Sequence, residues 1–151
     1  MSEWQFESTS VEETQRLASA LVGALNSRGV IGLVGDLGMG KTHFVQGLAK
    51  AMRIPPTTEV VSPTYAIVND YRGGDDRVLL HMDFYRLTDE DSAYALGIEE
   101  QLHQPNSLVA VEWADRLPAL LPAESVWLHF EWVSETERRI KVRGIENFLN
   151  S

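Results

Sequence analysis

Val30-Ile31-Gly32-Leu33-Val34-Gly35-Asp36-Leu37-Gly38-Met39-Gly40-Lys41-Thr42 runs from an apolar segment into a glycine-rich loop that ends on a lysine and a hydroxyl. Residues Gly35 to Thr42 match the phosphate-loop pattern G-x-x-x-x-G-K-[ST] at every specified position. With glycine near 7% of average composition, chance produces such a match in a chain of this length about once in a few hundred. The flanks fit as well. Val30 to Val34 is a nearly continuous apolar run, which predicts a buried strand. Beyond Lys41, the residues Phe44, Val45, Leu48, Ala49 and Met52 recur at helical spacing as far as Pro55-Pro56. That spacing predicts an amphipathic helix that stops before the prolines. A strand leading through such a loop into a helix N-terminus is a site for phosphate, because unpaired N–H groups and the helix dipole both favour an anion.

Each residue type in the loop has a part. Gly35, Gly38 and Gly40 are expected to adopt backbone angles closed to other residues, so that successive N–H groups converge on the phosphates. Asp36, Leu37 and Met39 contribute through the backbone. Lys41 is expected to bridge the β- and γ-phosphates and the Thr42 hydroxyl to ligate Mg²⁺, so ATP or ADP with Mg²⁺ is the expected ligand. A plain glycine-rich turn with an exposed lysine would leave Lys41-Thr42 at this spacing unexplained.

On either side, the chain alternates helices and strands. Ser10, with Glu13 three residues later, marks a capping box, and Leu17, Ala18, Leu21, Val22 and Leu25 form an apolar helical stripe ended by Asn26-Ser27-Arg28-Gly29. Thr64 to Tyr71 and Arg77 to Met82 read as two strands around the turn Gly73-Gly74-Asp75-Asp76. Thr88 is expected to cap a short helix from Asp89 to Leu96, closed by Gly97. Leu108 to Val111 is another buried strand, and Val126 to Trp132 with Arg138 to Arg143 forms a terminal hairpin. The expected fold is α/β: a P-loop NTPase-like three-layer sandwich whose mixed sheet has a parallel core and antiparallel additions, in one domain over residues 1–151.

Composition narrows the function. Thirteen Lys and Arg against 22 Asp and Glu leave a net charge of −9, which argues against direct grip on a nucleic-acid backbone. With no cysteine there are no disulfides and no thiolate metal sites. Neither a signal peptide at Met1-Ser2-Glu3-Trp4 nor a membrane-length apolar run is visible, so a cytoplasmic protein without a membrane partner is expected.

A phosphate loop binds; hydrolysis also needs a carboxylate to orient metal and water, and a group that senses the γ-phosphate. Asp83 and Glu112 each follow an apolar strand, at the end where open α/β sheets place ligands, and either fits the acidic role. The bland reading is a surface acid at a strand end. In Ser62-Pro63-Thr64, Thr64 lies where switch proteins often place a threonine that reaches Mg²⁺ and the γ-phosphate, although an ordinary proline turn reads the same way. His81 alternates with Asp83, and a lone histidine is more often a core residue than a catalyst. Tyr85 and Arg86 are candidate phosphate or partner contacts, and Trp113 is a candidate neighbour of the nucleotide or simply core. There is no Asn-Lys-x-Asp guanine-reading motif. Nor is there an Arg-rich lid, since Arg72, Arg77, Arg86 and Arg116 are scattered.

Gly35-Asp36-Leu37-Gly38-Met39-Gly40-Lys41-Thr42, Ser62-Pro63-Thr64-Tyr65, His81-Met82-Asp83-Phe84-Tyr85-Arg86 and Val111-Glu112-Trp113, in that order, resemble the bacterial TsaE family, also known as YjeE, over nearly the whole chain. The resemblance implies an ATPase needed for threonylcarbamoyladenosine in tRNA. It implies work with a TsaD–TsaB pair, contact with tRNA only through that complex, and no transfer of the threonylcarbamoyl group by the chain itself. It also implies that Lys41 and the loop backbone bind phosphate and that Thr42 and Glu112 ligate Mg²⁺. Asp83 and Thr64 would be further active-site residues, Trp113 would neighbour the site and Ser10 would approach the adenine. Met39 departs from the alanine common at that loop position, which is expected to alter packing rather than binding. Two other readings stand beside this one: a small-metabolite kinase using the same loop, and a nucleotide-gated binding module without useful hydrolysis. The absent lid favours the ATPase.

Overall fold

The computed structural model describes residues 3–35, 39–61, 63 and 68–145. Asp36, Leu37, Gly38, Ser62, Thr64, Tyr65 and the side chain of Met39 lie outside the described residues, and so do the roles expected of them. In chain order the elements are β1 (Glu3–Ser8), α1 (Val11–Leu25), β2 (Gly29–Gly35), α2 (Met39–Ala51), β3 (Val68–Arg72), β4 (Val78–Asp83), α3 (Glu90–Ala95), α4 (Ile98–Leu102), β5 (Ser107–Glu112), β6 (Val126–Trp132) and β7 (Arg138–Arg143).

Period-two alternation in the strands explains the layers. In β2, Ile31 and Leu33 point to one face, where they meet Leu17 and Leu21 of α1 and Phe44 and Leu48 of α2. Val30 points to the other face, beside Leu80, Met82, Val109 and Val111, under Ala93 of α3, Ile98 and Leu102 of α4, and Leu117 and Leu120. The strands run in the order β1-β7-β6-β2-β5-β4-β3. Neighbours from β6 through β2 and β5 to β4 are parallel. Antiparallel pairs flank this core, β3 on β4 at one end and β7 and β1 beyond β6 at the other. This is an α/β fold with a mixed sheet. β5 is buried at every position, as a strand covered on both faces requires.

Several local expectations change in the structure. The α1 cap forms, with Glu13 N–H donating to Ser10 Oγ at 3.1 Å, but the Glu13 carboxylate accepts from the N–H of Thr9 at 2.6 Å instead of that of Ser10. Asp89, not Thr88, caps α3, accepting from Ser92 N–H at 2.8 Å; a carboxylate is also the better partner for the positive end of the dipole. Gly97, at φ 72, ends that helix and starts α4, which is too short to show a periodic stripe. β1 was not expected, and it pairs with β7 from Glu3↔Arg143 to Ser8↔Arg138.

Candidate phosphate-binding site

β2 ends at Gly35 and α2 begins at Met39, so the glycine-rich loop joins the C-terminal end of a central parallel strand to a helix N-terminus. Gly35 has φ 122, and a Cβ there would collide with the carbonyl oxygen of Phe130, its register partner on β6. Only glycine suits that position. Gly40 corrects an expectation. It lies in the first turn of α2 and is not among the positive-φ glycines; an added Cβ would meet the Phe130 ring at 3.5 Å, an ordinary contact. Its lack of a side chain keeps space beside the loop open instead of permitting a rare backbone angle.

Lys41 is 3% exposed. Its Nζ donates to the carbonyl of Gly35 at 3.1 Å and lies 5.1 Å from the centre of the Trp113 ring. Among the described residues, none of the ion pairs includes Lys41. A buried ammonium without an ion-pair partner is costly, and it keeps donors for an anion. Thr42, half-buried, follows on the same helix turn. The residues present therefore suit a phosphate.

Two acids face this cation. Asp83 and Glu112 are register partners at the ends of β4 and β5. Their strand positions alternate with Leu79, Leu108 and Ala110, so they lie on the α2 side of the sheet. Glu112 is buried. Asp83 is half-buried, and its Oδ1 accepts from Tyr85 N–H at 2.8 Å. Burial pushes the Asp83 carboxyl above its ordinary range, and the charge of Glu112 pushes it further; the Tyr85 hydrogen bond and the charge of Lys41 pull the other way. Negative charge that the surroundings only partly offset suits a hard cation, and two carboxylates completed by phosphate oxygens are a donor set of the Mg²⁺ type. Among the described residues there is no cluster of three metal-ligating side chains, so such an ion would depend on the nucleotide and on Thr42.

His81 lies two residues before Asp83, 1% exposed, with Nε2 2.6 Å from Glu112 Oε2. Trp113 follows Glu112 at φ 57, a left-handed conformation unusual for so bulky a residue. Its ring lies 5.1 Å from that of Tyr85, over which Arg116 sits at 5.6 Å. Arg86 is exposed at the same end of the sheet.

A cavity of about 320 Å³ adjoins the loop. It is lined by Ser10 and Thr14 of the first helix region, by Gly40 and His43 of α2, and by Thr136 and Arg138 where β7 begins. Ser10 thus stands beside the phosphate loop despite the distance in sequence. Arg138 was missed by sequence reasoning: its Nε would lie 3.9 Å from a Cβ on Gly40, and its guanidinium donates to Ser134 O at 2.6 Å. No motif surrounds it, and only the hairpin register carries it to the loop. A larger cavity, about 580 Å³, lies at the opposite end of the parallel strands among Asn26, Arg28, Asp75, Arg77 and Asn106. Among the described residues its lining includes none of the phosphate loop, and ligands of open α/β sheets bind outside the carboxyl ends of the strands, so the smaller cavity is the relevant one.

Residues 8–140 match the family described as "Threonylcarbamoyl adenosine biosynthesis protein TsaE". The chain is 35% identical over 133 residues to the tRNA threonylcarbamoyladenosine biosynthesis protein TsaE of Aquifex aeolicus, covering 88% of this chain and 90% of the relative. Against the protein of the same name from Bacillus subtilis it is 33% identical over 147 residues, with 97% and 89% covered. The crystal structure of Bacillus subtilis YdiB is similar with a TM-score of 0.74 at 29% identity, over 93% of this chain and 84% of that one. A family match over most of the chain, with relatives above 30% identity and agreement in fold, makes this protein a member of the TsaE family.

Proposed function

We propose that the chain binds ATP at loop 35–42 and hydrolyses it with Mg²⁺. This activity supports the threonylcarbamoyladenosine modification of tRNA, in association with TsaD and TsaB. One observation carries the reading: a buried lysine, in no ion pair among the described residues, stands at a helix N-terminus opposite two carboxylates on adjacent strand ends. The family assignment supplies the pathway, since its members are named for threonylcarbamoyladenosine biosynthesis.

In this reading Lys41 and the backbone N–H groups of the loop hold the β- and γ-phosphates. Ser10 and Arg138 border the space beside Gly40, where the nucleoside fits. Thr42 and Glu112 hold the metal, which neutralises charge at the phosphates when bound. Asp83, whose raised carboxyl stands beside Glu112, orients the attacking water, and Thr64 meets the γ-phosphate. Trp113 lies under the Lys41 ammonium and helps to place it. Arg86 and the acidic helix α3 are the surface offered to the partner, and tRNA is met only through the complex.

The test is ATP turnover by the purified chain with and without TsaD–TsaB. Slow turnover alone, raised by the partners, is expected. Fast turnover indifferent to them would overturn the reading, and turnover that depends on a small acceptor would make the chain a kinase.

A further inference from the structure

We infer that His81 is a positioning residue: its Nε2–H donates to Glu112 Oε2 and holds that carboxylate where a divalent cation can be taken up. The inference rests on the metal role proposed for Glu112. His81 is on β4 and Glu112 on β5, and the register puts Glu112 beside Asp83, two residues further along than His81. The side chain of His81 therefore reaches along the sheet to meet its neighbour's carboxylate, 2.6 Å away, with both groups almost fully buried.

The other ring nitrogen makes the assignment directional. His81 Nδ1 is buried and has no hydrogen-bond partner among the described residues. A buried N–H without an acceptor is costly, whereas a bare ring nitrogen is only an unused acceptor. The Nε2–H tautomer is therefore the one that fits, with its proton aimed at Glu112. A histidine kept only for packing would need no such contact; a leucine would fill the space without burying polar nitrogens. Ligands of metals are commonly held by outer hydrogen bonds of this kind, and removing one typically costs about 10–100-fold in metal affinity.

The test compares His81→Leu, which removes the donor, with His81→Gln, whose Nε2–H₂ can replace it. Each full-length variant is titrated with Mn²⁺ in the presence of a non-hydrolysable ATP analogue, with electron paramagnetic resonance as the readout. Binding of the analogue without metal is measured separately. His81→Leu should bind Mn²⁺ at least about 10-fold more weakly while its metal-free affinity for the analogue stays within about 2-fold. His81→Gln should recover most of the loss. Equal losses in the two variants, or wild-type Mn²⁺ affinity in His81→Leu, would overturn the inference. If the wild-type chain with the analogue bound no Mn²⁺ at all, the metal reading of Glu112 would fall and this inference with it. A second measurement needs no variant: ¹⁵N spectra of the imidazoles in the wild-type chain should show the solvent-protected ring as the Nε2–H tautomer, and Nδ1–H at that ring would equally refute the assignment.

Discussion

Lys41 shows how one side chain joins fold and chemistry. It is buried and bonded to the carbonyl of Gly35, yet belongs to no ion pair among the described residues. Lys41→Ala should lower affinity for a fluorescent ATP analogue at least about 30-fold, since charge-assisted hydrogen bonds to phosphate are worth about 1.5–3 kcal/mol each. Wild-type affinity in that variant would refute the phosphate site. Asp83 makes a different point. Burial first, and then the charge of Glu112, raise its carboxyl above the ordinary range. The fold thus favours the protonated acid. Its contribution to stability is complete below the unfolded value near pH 4 and is lost as pH rises through the higher folded value. At neutral pH the ionised Asp83 is a cost. Asp83→Asn keeps the acceptor for Tyr85 N–H and removes that cost. In the metal- and nucleotide-free chain it should melt at a higher temperature than wild type at pH 7, with the gap closing below about pH 4. The same variant should slow ATP hydrolysis, the usual exchange of stability against function at a strained site. Melting curves across pH, with equal or lower stability for the variant at pH 7, would contradict this account.

Among the elements, the strands β1, β7 and β6 extend the parallel core and carry their charges in matched positions. Arg139 on β7 lies between its register partners Glu7 on β1 and Glu131 on β6. The Arg139 guanidinium, with help from Gln5, holds Glu7 below the usual carboxylate range; Lys141 first and then Arg139 do the same for Glu131. Depressed carboxylates contribute stability above their unfolded value and lose it as pH falls through the folded one. Arg139→Gln should therefore lower the melting temperature slightly at pH 7 and low salt, and the difference should vanish near pH 3 or in about 0.5 M NaCl, because exposed pairs are weak and screened. A difference unchanged at low pH would mean that Arg139 acts through packing of its stem instead. The element reading from sequence succeeded where patterns were local. β6 and β7 lie where the hairpin was expected, and the α2 stripe Phe44, Val45, Leu48, Ala49 and Met52 is buried throughout. β1 escaped because only Trp4 and Phe6 mark its inner face, both half-buried, and its partner lies at the far end of the chain.

For the whole molecule, charge and size set the limits on function. A net charge of −9 opposes a footprint on RNA, whose binding depends largely on neutralised phosphates. No helix of the described residues is long and apolar enough to cross a membrane. We expect the isolated chain to show no tight binding to unmodified tRNA in an anisotropy titration at about 0.15 M salt, the regime in which surface charges still act over roughly 8 Å. Tight, salt-sensitive binding by the chain alone would refute the view that tRNA is reached only through partners.

Much of this protein was written locally. The strand, the glycine-rich loop and Lys41-Thr42 are contiguous, and the helix stripes and the Ser10 cap depend on residues three or four apart, so they are legible in the order of amino acids. The acids were visible as strand ends, but not as neighbours. That Asp83 stands beside Glu112, that His81 bonds to Glu112 across 31 positions, and that Arg138 reaches Gly40 all follow from strand order and register. Those are settled by which apolar faces bury together and which backbone edges pair across long stretches of chain. Local periodicity says which side of a strand is apolar; only the assembled sheet says which strand lies next to it.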